Sequence, residues 1–237
     1  MKFTERDLVL LTNACETSKN IKFEKGKIQS VIASNKSGIF EFKLDTEIPE
    51  EFAIYDLEEF LNYHDLFDQP EITLKGDRIF FKDKKLQSEY QTADKSILIT
   101  PKPDHMKKLK ELKYDYSFLI KADEVREINK LLKKTKLPDV AIEIKNGLFN
   151  FKLFSRLDKS QPSISFNFEN NGQSKTNRYF NIFTKQHFKT LLFDDYFVEV
   201  SNKKVMKFES RNRELVYWIP LEETSEFDSS KGVNSNA

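Results

Sequence analysis

A unit of amphipathic helix followed by a β-hairpin recurs four times in these 237 residues, and that recurrence points to a duplicated α+β architecture. The first helix starts near Thr4, a good N-cap residue, with Leu8, Leu11 and Cys15 at helical spacing, and IKFEKGKIQSVIA follows with a turn at Lys25-Gly26. The second starts at Asp56, carries Leu57, Phe60 and Leu61 on one face and leads into EITLKGDRIFF, turning at Lys75-Gly76. The third runs from about Ala122 with Val125, Ile128 and Leu132 inward, then gives VAIEIKNGLFNFKLF around Asn146-Gly147, a pair that suits a two-residue hairpin turn. The fourth begins at Thr184 with Phe188, Leu191 and Leu192 inward and continues through YFVEVSNKKVMKFES, turning near Asn202.

Alternating segments after these hairpins (IFEFKL at 39–44, SISFNF at 163–168, ELVYWIPL at 214–221) read as further strands. Between the second and third units lies TPKPDHMKKLKEL, where Pro101 and Pro103 suppress helix and the Lys-rich remainder reads as a solvated connector. The expected organisation is an N-terminal domain 1–100, a connector 101–113, a C-terminal domain 114–228 of the same topology and a polar, disordered tail 229–237. In each domain the helices should pack on one face of antiparallel sheets.

The formal net charge of +1 announces no nucleic-acid partner, so any such partner must be read from how charge is distributed. Residues 102–136 hold eleven Lys or Arg against six Asp or Glu, whereas 45–68 contain no Lys or Arg. On the third helix Arg126, Lys130 and Lys133 form one stripe opposite the apolar face, with Lys134 and Lys136 following. Lys185 and Lys189 repeat the stripe in brief on the fourth helix, and Lys2 and Arg6 flank the start of the first. The second helix is acidic, with Glu58, Glu59 and Asp65 outward. A solvated helix face explains any single stripe, but three of four equivalent helices carrying one points to contact with phosphates, which position a protein without reading sequence.

Signs of catalysis are missing from the sequence. His64, His105 and His187 are scattered without metal-ligand spacing and read as surface or half-buried residues, and Cys15 is single and reads as a small core residue. Neither a phosphate-cradling glycine loop nor a nucleophile elbow occurs, so no catalytic residue, metal or cofactor is expected. No apolar run spans a membrane, and the start lacks a signal-peptide core, which places the protein in the cytoplasm.

Two segments resemble the sliding clamps of T-even-like bacteriophages, within the wider superfamily of PCNA-type processivity factors. FAIYDLEEFLNYHDLFDQPEITL at 52–74 is similar to the family's segment in which AIYDL opens the second helix and an acidic loop follows. ELVYWIPLEETSEFD at 214–228 resembles its final strand and acidic end. The resemblance implies the DNA clamp fold and a homotrimeric ring whose helices line a hole for duplex DNA while sheets form the outer wall. It also implies an ATP-dependent clamp loader that opens the ring, and a replicative DNA polymerase that docks a short peptide in a pocket beside the connector. In this chain that pocket would use Ile99, Tyr217, Trp218, Ile219 and Pro220. Subunits would join by pairing edge strands, with candidates around Ile97 to Ile99 and at Ile164, Phe166 and Phe168. The rival readings are a nuclease whose carboxylates converge only in the fold, a virion interaction protein, and a single-stranded DNA binder using FKLFSR at 151–156.

Overall fold

The computed structural model describes residues 1–145, 148–158, 160–168 and 178–227. The expected turn at Asn146-Gly147 and the tail 229–237 lie outside them. The chain divides into two compact units, residues 1–110 with 214–216, and residues 111–213 with 217 onward. The division at Lys110 falls inside the expected connector.

In the first unit, α1 (Glu5–Thr17) begins at the Thr4 cap, whose side chain accepts from the Asp7 N–H while Asp7 accepts from the Thr4 N–H. Asp7 also accepts from the backbone of Asp45 and Thr46 and from the Thr46 hydroxyl, which ties the helix start to β3 (Ile39–Ile48). Burial acts to raise the Asp7 pKa, but this set of donors outweighs it and holds the carboxyl below its usual value. The buried face of α1 is Asp7, Leu10, Leu11 and Ala14, one position round from the expected Leu8, Leu11 and Cys15. Cys15 is only half-buried.

The first expected hairpin does not form. β1 (Ile21–Phe23) pairs with β4 (Phe52–Ile54), and β2 (Gly26–Ile32) pairs with β3. The chain breaks direction at Gly26, at φ +104°, and the buried Gln29 side chain holds the break by bonding Glu24 N–H, Glu24 C=O and Gly26 C=O. A turn-like Lys-Gly pair thus re-aims the strand instead of closing a hairpin.

α2 (Leu57–Asp65) starts from Asp56, which caps the Glu59 N–H, and packs against α1. The expected hairpin after it is present as β5 (Glu71–Lys75) and β6 (Arg78–Lys82), turning at Gly76 with φ +63°, and β7 (Gln87–Gln91) extends that sheet. Phe3, Phe23, Phe52, Phe60 and Phe81 join one aromatic cluster, with Phe23 and Phe52 stacked at 4.5 Å. Each buried Phe contributes about 1.5 to 3 kcal/mol. His64 sits in the same cluster, 5% exposed, against the expectation of a surface or half-buried residue.

The connector also differs from expectation: Pro103 opens α3 (Pro103–Lys110) rather than preventing it. Proline is suited to the first helical position, where its missing N–H costs no hydrogen bond.

The second unit repeats the plan. β8 (Tyr116–Ile120) leads to α4 (Ala122–Lys134), where Glu124 accepts from the Lys121 N–H and Asp195 from the Ala122 N–H. Val125, Ile128 and Leu132 are buried as expected. β9 (Asp139–Lys145), β10 (Leu148–Phe154), β11 (Ile164–Asn167) and β12 (Arg178–Thr184) form a sheet in the order β11-β10-β9-β12. The short α5 (Lys185–Lys189) packs beside α4, burying Phe188 and, just beyond its end, Leu191, while Leu192 is half-buried. β13 (Tyr196–Ser201) and β14 (Val205–Ser210) make the fourth hairpin through residues 202–204, and β8 and β15 (Leu215–Pro220) flank it in the order β15-β14-β13-β8. Its core is again aromatic, with Phe151, Phe188, Phe208 and Tyr196 in a chain of ring contacts.

Candidate nucleic-acid interface

The basic stripe expected on the third helix is present on α4. Arg126, Lys130, Lys133 and Lys134 are all exposed, as is Lys136 just past the helix, because the apolar positions between them are drawn into the sheet. The four lysines make no ion pair among the described residues. Arg126 does, with Asp123 one turn back, and its guanidinium lies 5.5 Å from the ring of Phe193, which is itself half exposed. On α5, Lys189 is exposed, whereas Lys185 is half-buried with its ammonium 3.3 Å from the Thr135 carbonyl at the end of α4. Lys185 therefore fastens one helix to the other more than it faces solvent.

The first unit is different. Arg6 reaches Asp45 at 2.9 Å, Glu214 at 2.7 Å and the Lys43 carbonyl at 3.1 Å, so its charge is spent on neighbours. The outward positions of α1 are Glu5, Val9, Thr12 and Glu16, and those of α2 are Glu58, Glu59, Asn62 and Asp65. Lys2 is exposed, but it precedes the helix and lines a shallow cleft of about 480 Å³ with Lys82, Lys84, Lys85 and Asp68. Three basic helices of four were expected; of those four, only α4 and α5 of the second unit keep exposed cations on the helix itself. The acidic outer positions of α1, Glu5 and Glu16, follow from helical spacing in the sequence alone. Nothing in the sequence singled out Phe193.

The expected peptide pocket is corrected in most of its members. Tyr217, Trp218 and Ile219 are buried inside the second unit, with Tyr217 edge-on to Tyr196 at 6.1 Å. β15 is covered on both faces at these positions, so alternation no longer sets an outward residue. Pro220 and Ile99 remain exposed.

Among the joining candidates, Ile97 and Ile99 do not lie on a strand: residues Lys95–Ile97 form a 3₁₀ turn capped by Asp94. Ile164 and Phe166 are half-buried and Phe168 buried, and β11 is an edge strand. The other edge of its sheet, β12, is covered, since Phe180 exchanges backbone hydrogen bonds with Glu226, and Ile182 bonds Glu222 and Ser225.

No group of three His, Cys, Asp or Glu side chains among the described residues could hold a metal, and none of their helices is long and apolar enough to cross a membrane. The Cys15 thiol is pushed up to about 12, first by burial and then by Glu58, Asp56 and Glu16, which keeps it protonated at neutral pH and a poor nucleophile there.

No family model matches the chain. It is similar to the sliding clamp of Escherichia phage RB69, 22% identical over 240 residues that cover 96% of this chain and all of the relative. It is also similar to the sliding clamp of Vibrio phage KVP40, 25% identical over 169 residues covering 70% and 74% of the two chains. Among solved structures, an A. fulgidus PCNA bound by the C-terminal region of FEN-1 superposes with a TM-score of 0.64, at 14% identity over 94% of this chain and 95% of that one. The DNA polymerase III subunit beta of Pseudomonas aeruginosa gives 0.67, at 11% identity over 100% and 69%. The chain has the DNA clamp fold, and its resemblance to T-even-like phage clamps extends along nearly its whole length.

Proposed function

We propose that this chain is a subunit of a sliding clamp, a ring that encircles duplex DNA without regard to sequence and tethers a replicative DNA polymerase to it. The observation that carries the reading is the end-to-end match to the RB69 clamp in a chain whose α4 and α5 present unpaired cations on a solvent face. Such cations touch phosphates weakly and equivalently at every step, which lets a protein slide. Retention comes from closure of the ring rather than from affinity, so a net charge of only +1 is compatible with the role. The clamp contributes no chemistry and needs no cofactor.

The ring is a homotrimer in this reading, joined by strand pairing. Among the described residues β11 and β7 are edge strands of their sheets; the edge of β11 supports its use at the joint, and β7 is the partner we assign to it. An ATP-driven loader opens the ring, and the work takes place in the cytoplasm of the host cell. The A. fulgidus PCNA binds a C-terminal region of FEN-1. We assign the same style of docking to the polymerase here, with Pro220 and Ile99 as the candidate contacts still at the surface.

Light scattering together with retention on nicked circular and linearised duplex tests the proposal. A trimer that stays on circles and runs off cut ends is expected. A monomer, or binding indifferent to DNA ends, would overturn it.

A further inference from the structure

In the first unit α1 and α2 together carry six carboxylates (Glu5, Asp7, Glu16, Glu58, Glu59 and Asp65) against one cation, the ion-paired Arg6. In the second, α4 and α5 carry six cations (Arg126, Lys130, Lys133, Lys134, Lys185 and Lys189) against Asp123, Glu124 and Glu127. Of the first set, Glu16 and Glu58 are exposed and make no hydrogen bond or ion pair among the described residues. Glu16 belongs to α1 and Glu58 to α2, and the two helices pack against each other. Glu58 lies in the first turn of α2, where the helix dipole favours a carboxylate, whereas Glu16, in the last turn of α1, is placed against the dipole and has no local structural task.

We propose that phosphate contact is confined to α4 and α5, and that the α1–α2 face repels the duplex, so that the channel alternates attracting and repelling sectors and the repulsion keeps the clamp mobile. The inference rests on the ring reading, in which both helix pairs face the channel. At physiological salt, charges act over about 8 Å, so a carboxylate facing the DNA opposes only a phosphate that comes close. The duplex then rides on the cationic sectors and is kept from settling against the others. A uniformly cationic lining would add phosphate contacts, each strengthening binding and its salt dependence, and would slow sliding.

The test uses the full chain carrying Glu16→Lys and Glu58→Lys, fluorescently labelled and threaded over the free end of a linear duplex whose ends are then blocked, so that no loader is needed. One-dimensional diffusion is followed from low to high salt. The double variant should diffuse severalfold more slowly at low salt and approach the parent at high salt, with a salt dependence of binding steeper by up to about 0.9 per new phosphate contact. The Glu16→Gln, Glu58→Gln variant should fall between the two, which separates charge from damage to folding. Unchanged diffusion in a Lys variant that still threads would overturn the inference while leaving the ring reading intact. So would a defect seen only with the loader, because the face would then serve a protein partner. Failure of the parent itself to be retained between blocked ends would instead remove the ring reading.

Discussion

α1 with α2 and α4 with α5 are built alike and finished differently. In both pairs the longer helix is anchored by a carboxylate at the same step after its start, Asp7 in α1 and Glu124 in α4, and packs its apolar face onto sheets. Outward, the first pair shows Glu5, Glu16, Glu58, Glu59 and Asp65, and the second Lys130, Lys133, Lys134 and Lys189. The shared half is what folding requires. The half that differs faces solvent, where packing sets no demand, so it is free to record function.

The sharpest way to break this comparison is to reverse the cationic face. Lys130→Glu, Lys133→Glu and Lys134→Glu together should lower retention on circular duplex about tenfold or more, with oligomeric mass and melting temperature unchanged, because these side chains make no ion pair or hydrogen bond among the described residues. Loss of folding instead would mean that the face is structural.

The two anchors should differ in stability. Asp7→Ala strands donors from Thr4, Asp45 and Thr46 and should cost roughly 2 to 3 kcal/mol, while Glu124→Ala releases the Lys121 N–H and should cost about 1 kcal/mol, both read by denaturant titration.

A pH titration probes the first unit, with the second unit's His187, whose pKa burial also lowers, adding to the same acid-side loss. Among the described residues neither ring nitrogen of His64 has a hydrogen-bond partner, the nearest carboxylate being Asp65 at 3.7 Å, and burial lowers its pKa. The folded state therefore binds this proton less readily than the unfolded state. Stability from the neutral ring is full above the unfolded value of about 6.5 and is lost as pH falls through that value toward the lowered folded one. Asp7, whose pKa is also lowered, adds its loss only below about 3.8. His64→Phe should flatten the upper part of this profile, and an unaltered profile would show that His64 is not the group responsible.

The smallest effect is expected at Arg6, where substitution by Gln should leave retention on DNA within about twofold and cost under about 1 kcal/mol, since its ion pairs are partly exposed. A large loss of retention would put the first unit back on the DNA.

The four helix starts were legible from local chemistry: Thr4 and Asp56 are caps, Thr184 directly precedes α5, and Ala122 opens α4. The cationic stripe of α4 was legible too, because helical periodicity alone separates it from Val125, Ile128 and Leu132. The pairing of Arg6 was not, since Asp45 and Glu214 come to it from 39 and 208 residues away. Nor was the burial of Tyr217, Trp218 and Ile219, because a strand's alternation says which residues share a face and not whether one face or both are covered. The strand exchange at Gly26 was hidden for a related reason: a Gly permits a turn, but which partner the next strand finds depends on groups such as Gln29 that meet it in space.

Local capping and periodicity, which act over a turn or two of chain, let the sequence by itself determine the repeated helix-and-strand order and the sorting of charge between its halves. Which strands pair, which aromatic residues disappear into the core and which cations stay free were decided only by tertiary structure, because each depends on a partner distant in the chain.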